Sequence, residues 1–183
     1  MPKPQERDLD QTKIIFSSWL QTQLSGANNL DVELLGGPEN TGFSNETLSF
    51  NVSYEFEGAN INTGMVLRFY PEGFFVFPDY DIHKQFLIMK KLSEHDIKVP
   101  KVLWYEPSDE VFGTSFYVME MASGDAPSDN PPFHQEGWVA DSSEAVRERI
   151  WWGWVEQMAK IHQVDISNGD FEFLNRPKLA GDY

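Results

Sequence analysis

Between Thr47 and Phe56 the chain alternates without a break. Leu48, Phe50, Val52, Tyr54 and Phe56 are apolar, while Thr47, Ser49, Asn51, Ser53 and Glu55 are polar. A strict period of two with one apolar face fits an antiparallel strand laid over a core and cannot be wound into an amphipathic helix. The residues Glu57-Gly-Ala-Asn60 then turn the chain into a second strand, Met65 to Tyr70. Upstream, Leu30 to Leu35 reads as a short strand, and Gly36-Gly-Pro-Glu-Asn-Thr-Gly42 carries turn residues that tolerate positive φ. Lys98 to Tyr105 and Ser115 to Met121 supply two more strands. A helix starting near Asp79 or Asp81 as N-cap has Ile82, Phe86, Met89 and Leu92 on one face. Five strands with one helix between the third and fourth predict a compact α+β lobe.

Two helices flank that lobe. Leu9 to Leu24 places Phe16, Leu20 and Leu24 at i, i+4 and i+8, with Ile15 and Trp19 beside them. After a polar stretch from Ser123 to Asp141 with Pro127, Pro131 and Pro132, the pair Asp141 and Glu144 resembles a capping box. It opens a helix predicted to reach about Val164. Trp151, Val155, Met158 and His162 share one stripe, with Ile150, Trp154 and Ile161 adjoining. A helix apolar around so much of its circumference expects cover on more than one side. That predicts self-association or a complementary chain through residues 142–164.

The 183 residues suffice for one domain with a sizeable core, and 14 Phe and 6 Trp make that core aromatic. A net charge of −15 argues against non-specific nucleic-acid binding, which needs Lys and Arg against phosphates. There are no cysteines, hence no disulfides or zinc-thiolate sites. No apolar run reaches membrane-spanning length, and Met1-Pro-Lys-Pro-Gln-Glu-Arg7 is not a signal peptide, so the expected compartment is the cytoplasm.

The residues that carry chemistry fall in a telling order. A Gly-rich hairpin comes first, then Arg68 inside an apolar strand on the parity of Val66 and Tyr70, then the strand Phe116-Tyr-Val-Met-Glu-Met121 running into a turn. Glycines let backbone N–H groups approach an anion, with hydroxyls from Ser44 or Thr47 to assist. A strand-centre Arg needs solvent, a carboxylate or a ligand phosphate, and its planar fork suits phosphate oxygens. An edge-strand surface Arg is the alternative. Loop, cation and backbone turn together are the parts with which a kinase lobe holds a nucleotide. Two echoes of catalytic segments are set aside. His162-Gln-Val-Asp165 with Asn168 has the wrong spacing for a catalytic loop, and Asp170-Phe-Glu172 lacks the Gly of a metal-binding Asp-Phe-Gly. The four His residues, at 83, 95, 134 and 162, have no metal-ligand spacing, and no metal site is expected.

In sequence order, Gly42-Phe-Ser-Asn-Glu-Thr47, Val66-Leu-Arg-Phe69, the helix Asp81 to Leu92, Val99-Pro-Lys-Val-Leu-Trp104, Phe116-Tyr-Val-Met-Glu120 and Met158-Ala-Lys-Ile-His-Gln-Val-Asp165 resemble the aminoglycoside phosphotransferase / choline kinase-like family. They look closest to bacterial members related to the phosphotransferase domains fused to acyl-CoA dehydrogenases. The resemblance implies a protein-kinase-like small lobe over residues 30–122, after an N-terminal helix in 1–29. A linker, 123–141, and the first helix of a truncated helical substrate lobe, 142–183, would follow. It implies ATP or GTP as cofactor and transfer of phosphate to a hydroxyl of a small molecule. Gly42, Phe43, Ser44 and Asn45 would lie over the phosphates, and Arg68 would stand where the family has a Lys. Gln85 would replace the Glu that pairs with that Lys, so Arg68 would be oriented by a neutral hydrogen bond. Met119 would border the adenine, with the Glu120 carbonyl and the Ala122 N–H contacting the base. The family's catalytic His-Gly-Asp…Asn segment has no match here. The chain alone is therefore expected to be inactive, with Mg²⁺ expected only alongside a catalytic lobe. Two other readings stay open: a non-catalytic nucleotide-binding or interaction module, and an unrelated α+β domain binding a partner through Phe74–Phe77 and Trp151–Trp154.

Overall fold

The computed structural model describes residues 7–36, 46–70, 80–167 and 169–174. The Gly42 to Asn45 segment and the aromatic run Phe74 to Phe77 lie outside the described residues. The elements are α1 (Leu9–Gln23), β1 (Asn28–Gly36), β2 (Glu46–Phe56), β3 (Ala59–Phe69), α2 (Ile82–Leu92), β4 (Val102–Glu106), β5 (Phe116–Glu120), α3 (Trp138–Asp141) and α4 (Glu144–His162). They fall into two units, Met1–Phe86 with Pro100–Ser123, and Leu87–Val99 with Gly124–Tyr183.

The first unit is the five-stranded antiparallel sheet, in the order β1-β2-β3-β5-β4. The β2–β3 register pairs Leu48 with Leu67 and Phe50 with Met65, so the alternation read from the sequence becomes one continuous apolar face. Phe16, Trp19 and Leu20 of α1 bury against it together with Val32, Phe69, Phe116 and Val118. Aromatic rings make much of this contact: Phe16 to Phe50 at 4.7 Å between centroids, Trp19 to Phe116 at 5.0 Å, and Phe69 to Phe112 at 5.1 Å. The Trp19 indole N–H donates to the Glu106 carboxylate at 3.0 Å, which satisfies the one polar atom of that ring. Asp8 caps α1 through the Gln11 N–H at 3.0 Å. Just before it, Arg7 bonds Glu46 at 2.9 Å and lies 4.2 Å over the Phe69 ring.

Local chemistry explains where the elements start and stop. Asp81, one of the two expected caps, takes the Lys84 N–H at 2.8 Å at the head of α2. The β2–β3 turn is tighter than the expected four residues. Glu57 and Gly58 both have positive φ (50° and 79°), the pattern of a two-residue primed hairpin. Consequently β3 begins at Ala59 rather than Met65. Separately, β4 is confined to Val102–Glu106 rather than starting at Lys98.

The second unit corrects the reading of the capping box. Asp141 ends the short α3, and Ser143 occupies the N-cap of α4. The Glu144 side chain then falls in the first helical turn, where an acidic group suits the helix dipole. The expected stripe is also not a buried one: no residue of α4 is buried. Lys160 of that helix pairs with Asp96 at 2.7 Å and with Glu156 at 2.9 Å, and the Lys98 N–H donates to Gln157 at 2.8 Å.

Candidate nucleotide site

The apolar core uses one face of the sheet, and Arg68 is on the other. Its strand, β3, is central rather than at an edge, which removes the surface-strand reading of this cation. Across the β3–β5 ladder Arg68 stands opposite Tyr117, Val66 opposite Met119, and across β2–β3 Arg68 stands opposite Thr47. All five side chains therefore share a face. Arg68 and Met119 are half-buried, while Tyr117 is fully buried.

Phenols surround the cation. The Tyr117 side chain is hydrogen-bonded to Arg68, and burial pushes its hydroxyl above the usual tyrosine range while the Arg68 charge pulls it back. Burial likewise raises Tyr80, opposed by its hydrogen bond to the Gln85 side chain and by the nearby Arg68 charge. The Tyr80 ring meets Tyr70 edge-on at 5.2 Å. Phe86, one residue after Gln85, packs 6.1 Å from Tyr117 and 5.6 Å from Tyr105. Arg68 and Gln85, singled out separately in the sequence, thus meet in one cluster. Tyr80 and Tyr117 link them, and neither was anticipated. For Tyr117 the signal was the cross-strand register, which sets it opposite Arg68 but cannot be read from a single strand; Tyr80, just before α2, is in no strand and carried no such signal.

The other end of this face is backbone. The Glu120 N–H donates to the Lys101 carbonyl at 2.8 Å and the Met121 N–H to the Gly64 carbonyl at 2.9 Å. The chain then leaves the sheet with Ala122 exposed, and among the described residues nothing accepts from the Ala122 N–H. The face thus runs from a cation through the apolar pair Val66 and Met119 to open backbone. Such a surface can take a ligand that is anionic at one end and flat and hydrogen-bonding at the other. Among the described residues no group of three or more His, Asp or Glu side chains comes close enough to hold a metal ion. No helix among them is long and apolar enough to cross a membrane.

The residues of the two catalytic echoes make local polar contacts. The Asp165 carboxylate accepts from the Ser167 N–H at 2.8 Å and from its hydroxyl at 2.6 Å, which holds it below the usual carboxylate range. Asp170 pairs with Lys91 at 3.1 Å, and Phe171 beside it is buried with its ring 6.4 Å from His95.

A model of the phosphotransferase enzyme family matches residues 47–182. The human acyl-CoA dehydrogenase family member 11 is 31% identical over 107 residues, covering 58% of this chain and 13% of that protein. Mouse acyl-CoA dehydrogenase family member 10 is 27% identical over 119 residues, 65% of this chain and 10% of that protein. A crystal structure of a candidate aminoglycoside phosphotransferase from Ralstonia eutropha JMP134 superposes with a TM-score of 0.58 at 24% identity, over 90% of this chain and 42% of that one. The chain therefore spans about a tenth of these curated relatives and under half of the solved neighbour, and it shares that neighbour's fold. With the family model covering most of its length, the chain belongs to the phosphotransferase enzyme family.

Proposed function

We propose that this chain is the nucleotide-binding portion of an ATP-dependent phosphotransferase that phosphorylates a hydroxyl of a small molecule, with GTP as the alternative donor. The observation that carries the reading is the sheet face just described, with Arg68 at one end, Val66 and Met119 in the middle, and the Glu120–Ala122 backbone at the other. Arg68 takes the phosphates, held in place by the Tyr117 hydroxyl, while Gln85 bonds Tyr80 beside it. Gly42, Phe43, Ser44 and Asn45 cover the phosphates. Met119 borders the base, which takes hydrogen bonds from the Ala122 N–H and to the Glu120 carbonyl. Residues 30–122 form this lobe after the helix within 1–29, and 123–141 connect it to the start of a helical substrate lobe in 142–183. Among the described residues no group of three or more side chains could hold Mg²⁺. Asp165 and Asp170 are engaged in a turn and an ion pair, and the chain by itself is inactive.

Calorimetry on Arg68→Ala tests the site. ATP affinity falls by about 1–3 kcal/mol, as for a charge-assisted contact, and adenosine affinity stays put. Equal losses for both ligands would make Arg68 structural. Turnover by the purified chain that Asp165→Ala abolishes would overturn the assignment of Asp165 to a turn.

A second reading, a non-catalytic nucleotide-binding or protein-interaction module, draws on a different observation. Trp151, Trp152, Trp154, Val155, Met158 and Ile161 of α4 are all exposed. An apolar surface of that extent on one helix is the mark of a face that is covered in the working molecule.

A further inference from the structure

The face that carries Arg68 has a regular ladder of facing residues: Arg68 with Tyr117, Val66 with Met119 and, one step further, Gly64 with Met121, joined by the Met121 N–H to Gly64 carbonyl bond. Four residue steps of strand lead from Arg68 to Gly64, about 13 Å at about 3.3 Å per residue, on the scale of an extended nucleoside triphosphate. Gly64 is therefore at the base end of the proposed site. Its backbone is ordinary extended strand, so positive φ does not explain a glycine there. Close approach does. A Cβ on residue 64 would meet the Met121 side chain at its Cε and, at 2.8 Å, its Cβ. Real Cβ atoms do not come that near a neighbour, and the Met121 Cβ is fixed to the backbone, so a side chain at 64 could be admitted only by moving the Met121 main chain.

We propose that Gly64 is a positioning residue for the base-recognising segment: its missing side chain lets Met121 lie flat on β3 and so sets where the Glu120 carbonyl and the Ala122 N–H stand. Gly64 touches no ligand atom in this account and acts through Met121. The proposal rests on the reading that Glu120 and Ala122 meet the base. It makes residue 64 a determinant of base affinity, where Arg68 is a determinant of phosphate affinity.

The test is a double-mutant cycle on the full 183-residue chain, with Gly64→Ala, Met121→Gly and the combination, titrated with ATP, adenosine and inorganic triphosphate. Gly64→Ala is expected to weaken ATP and adenosine by a similar factor, at least tenfold, to leave inorganic triphosphate unchanged, and to speed amide exchange at Met121. In the Met121→Gly background, where the obstructing Cβ is gone, the same substitution is expected to cost nothing. Unchanged adenosine affinity, an equal loss for inorganic triphosphate, or a loss that persists without the Met121 side chain would overturn the proposal. If Gly64→Ala alone does not fold, the comparison within the Met121→Gly background still decides: a loss of adenosine affinity there refutes the contact. Wild-type chain that binds neither ATP nor adenosine refutes the nucleotide reading. Amide exchange at Met121 then judges the Gly64 contact alone, and unchanged exchange in Gly64→Ala overturns it.

Discussion

α1 and α4 carry the same kind of sequence signal and meet opposite fates. α1 has fifteen residues and buries Phe16, Trp19 and Leu20 against the sheet. α4 has nineteen, carries three Trp in four positions, and buries none of them. An apolar stripe at helical spacing therefore fixes that a helix has something to bury, but not that a partner surface is at hand. For α1 the partner is a strand face whose period-two pattern is complementary and lies in the same unit. For α4, Trp151 and Trp152 are each about three-fifths exposed, at 61% and 59%.

The contrast can be broken most sharply at Phe16. Phe16→Ala empties the centre of the aromatic core and should cost about 3–5 kcal/mol of stability. A denaturant titration followed by circular dichroism reads it, and a cost near zero would mean that α1 only rests on the sheet. Next in size is an alkaline effect on the Arg68 side of the sheet. Burial raises the Tyr117 hydroxyl above 10.0, so the unfolded chain loses its phenolic proton first as pH rises. That contribution to stability is intact below the ordinary tyrosine value and is lost as pH climbs through the raised one, at up to about 1.4 kcal/mol per pH unit. Tyr117→Phe should flatten the alkaline limb of a stability profile, and an unaltered limb would assign the loss to other groups, Lys91 and Lys160 among them. The smallest expected change is on α4. Replacing Trp151 and Trp152 by Ser should move stability by no more than about 0.5 kcal/mol each. It should nonetheless shift the sedimentation of the protein at micromolar concentration from an associated to a monomeric species. A wild-type monomer with low dye-detected apolar exposure would erase the contrast with α1.

Much of the sheet was legible because alternation, turn residues and the Asp81 cap are local. The apolar face of β2 follows from parity, and parity puts Arg68 on one side with Val66 and Tyr70, opposite in sense to Leu67 and Phe69. The misread boundaries have a physical cause as well. Asn60, Asn62 and Thr63 look like turn residues, yet the primed turn at Glu57 and Gly58 closes so early that they pair with Glu55, Ser53 and Val52. At the head of α4 the sequence offers Asp141 as cap with Glu144 as its capping-box partner, but the short α3 takes Asp141 and Ser143 holds the N-cap. The site was half legible. Arg68 and Gln85 stand out by type and position, but Tyr117 and Gly64 are distinguished only by what lies across the sheet from them, and Tyr80 by its side-chain bond to Gln85. A tyrosine in a strand or a glycine in a hairpin is otherwise unremarked.

Arg7 gives the start of the chain an importance that family boundaries conceal. Its guanidinium bonds Glu46, lies over the Phe69 ring and reaches the Phe112 carbonyl at 3.4 Å. One side chain thereby ties the lead-in of α1 to the first residue of β2 and to the loop before β5. The family match begins at residue 47. A polypeptide cut to that boundary would discard Arg7 and the whole of α1 and β1, and would leave Phe50, Phe116 and Val118 facing water. Anyone dissecting this lobe by sequence similarity would then be handling a sheet stripped of its back wall, and its aggregation would say nothing about the lobe's own solubility.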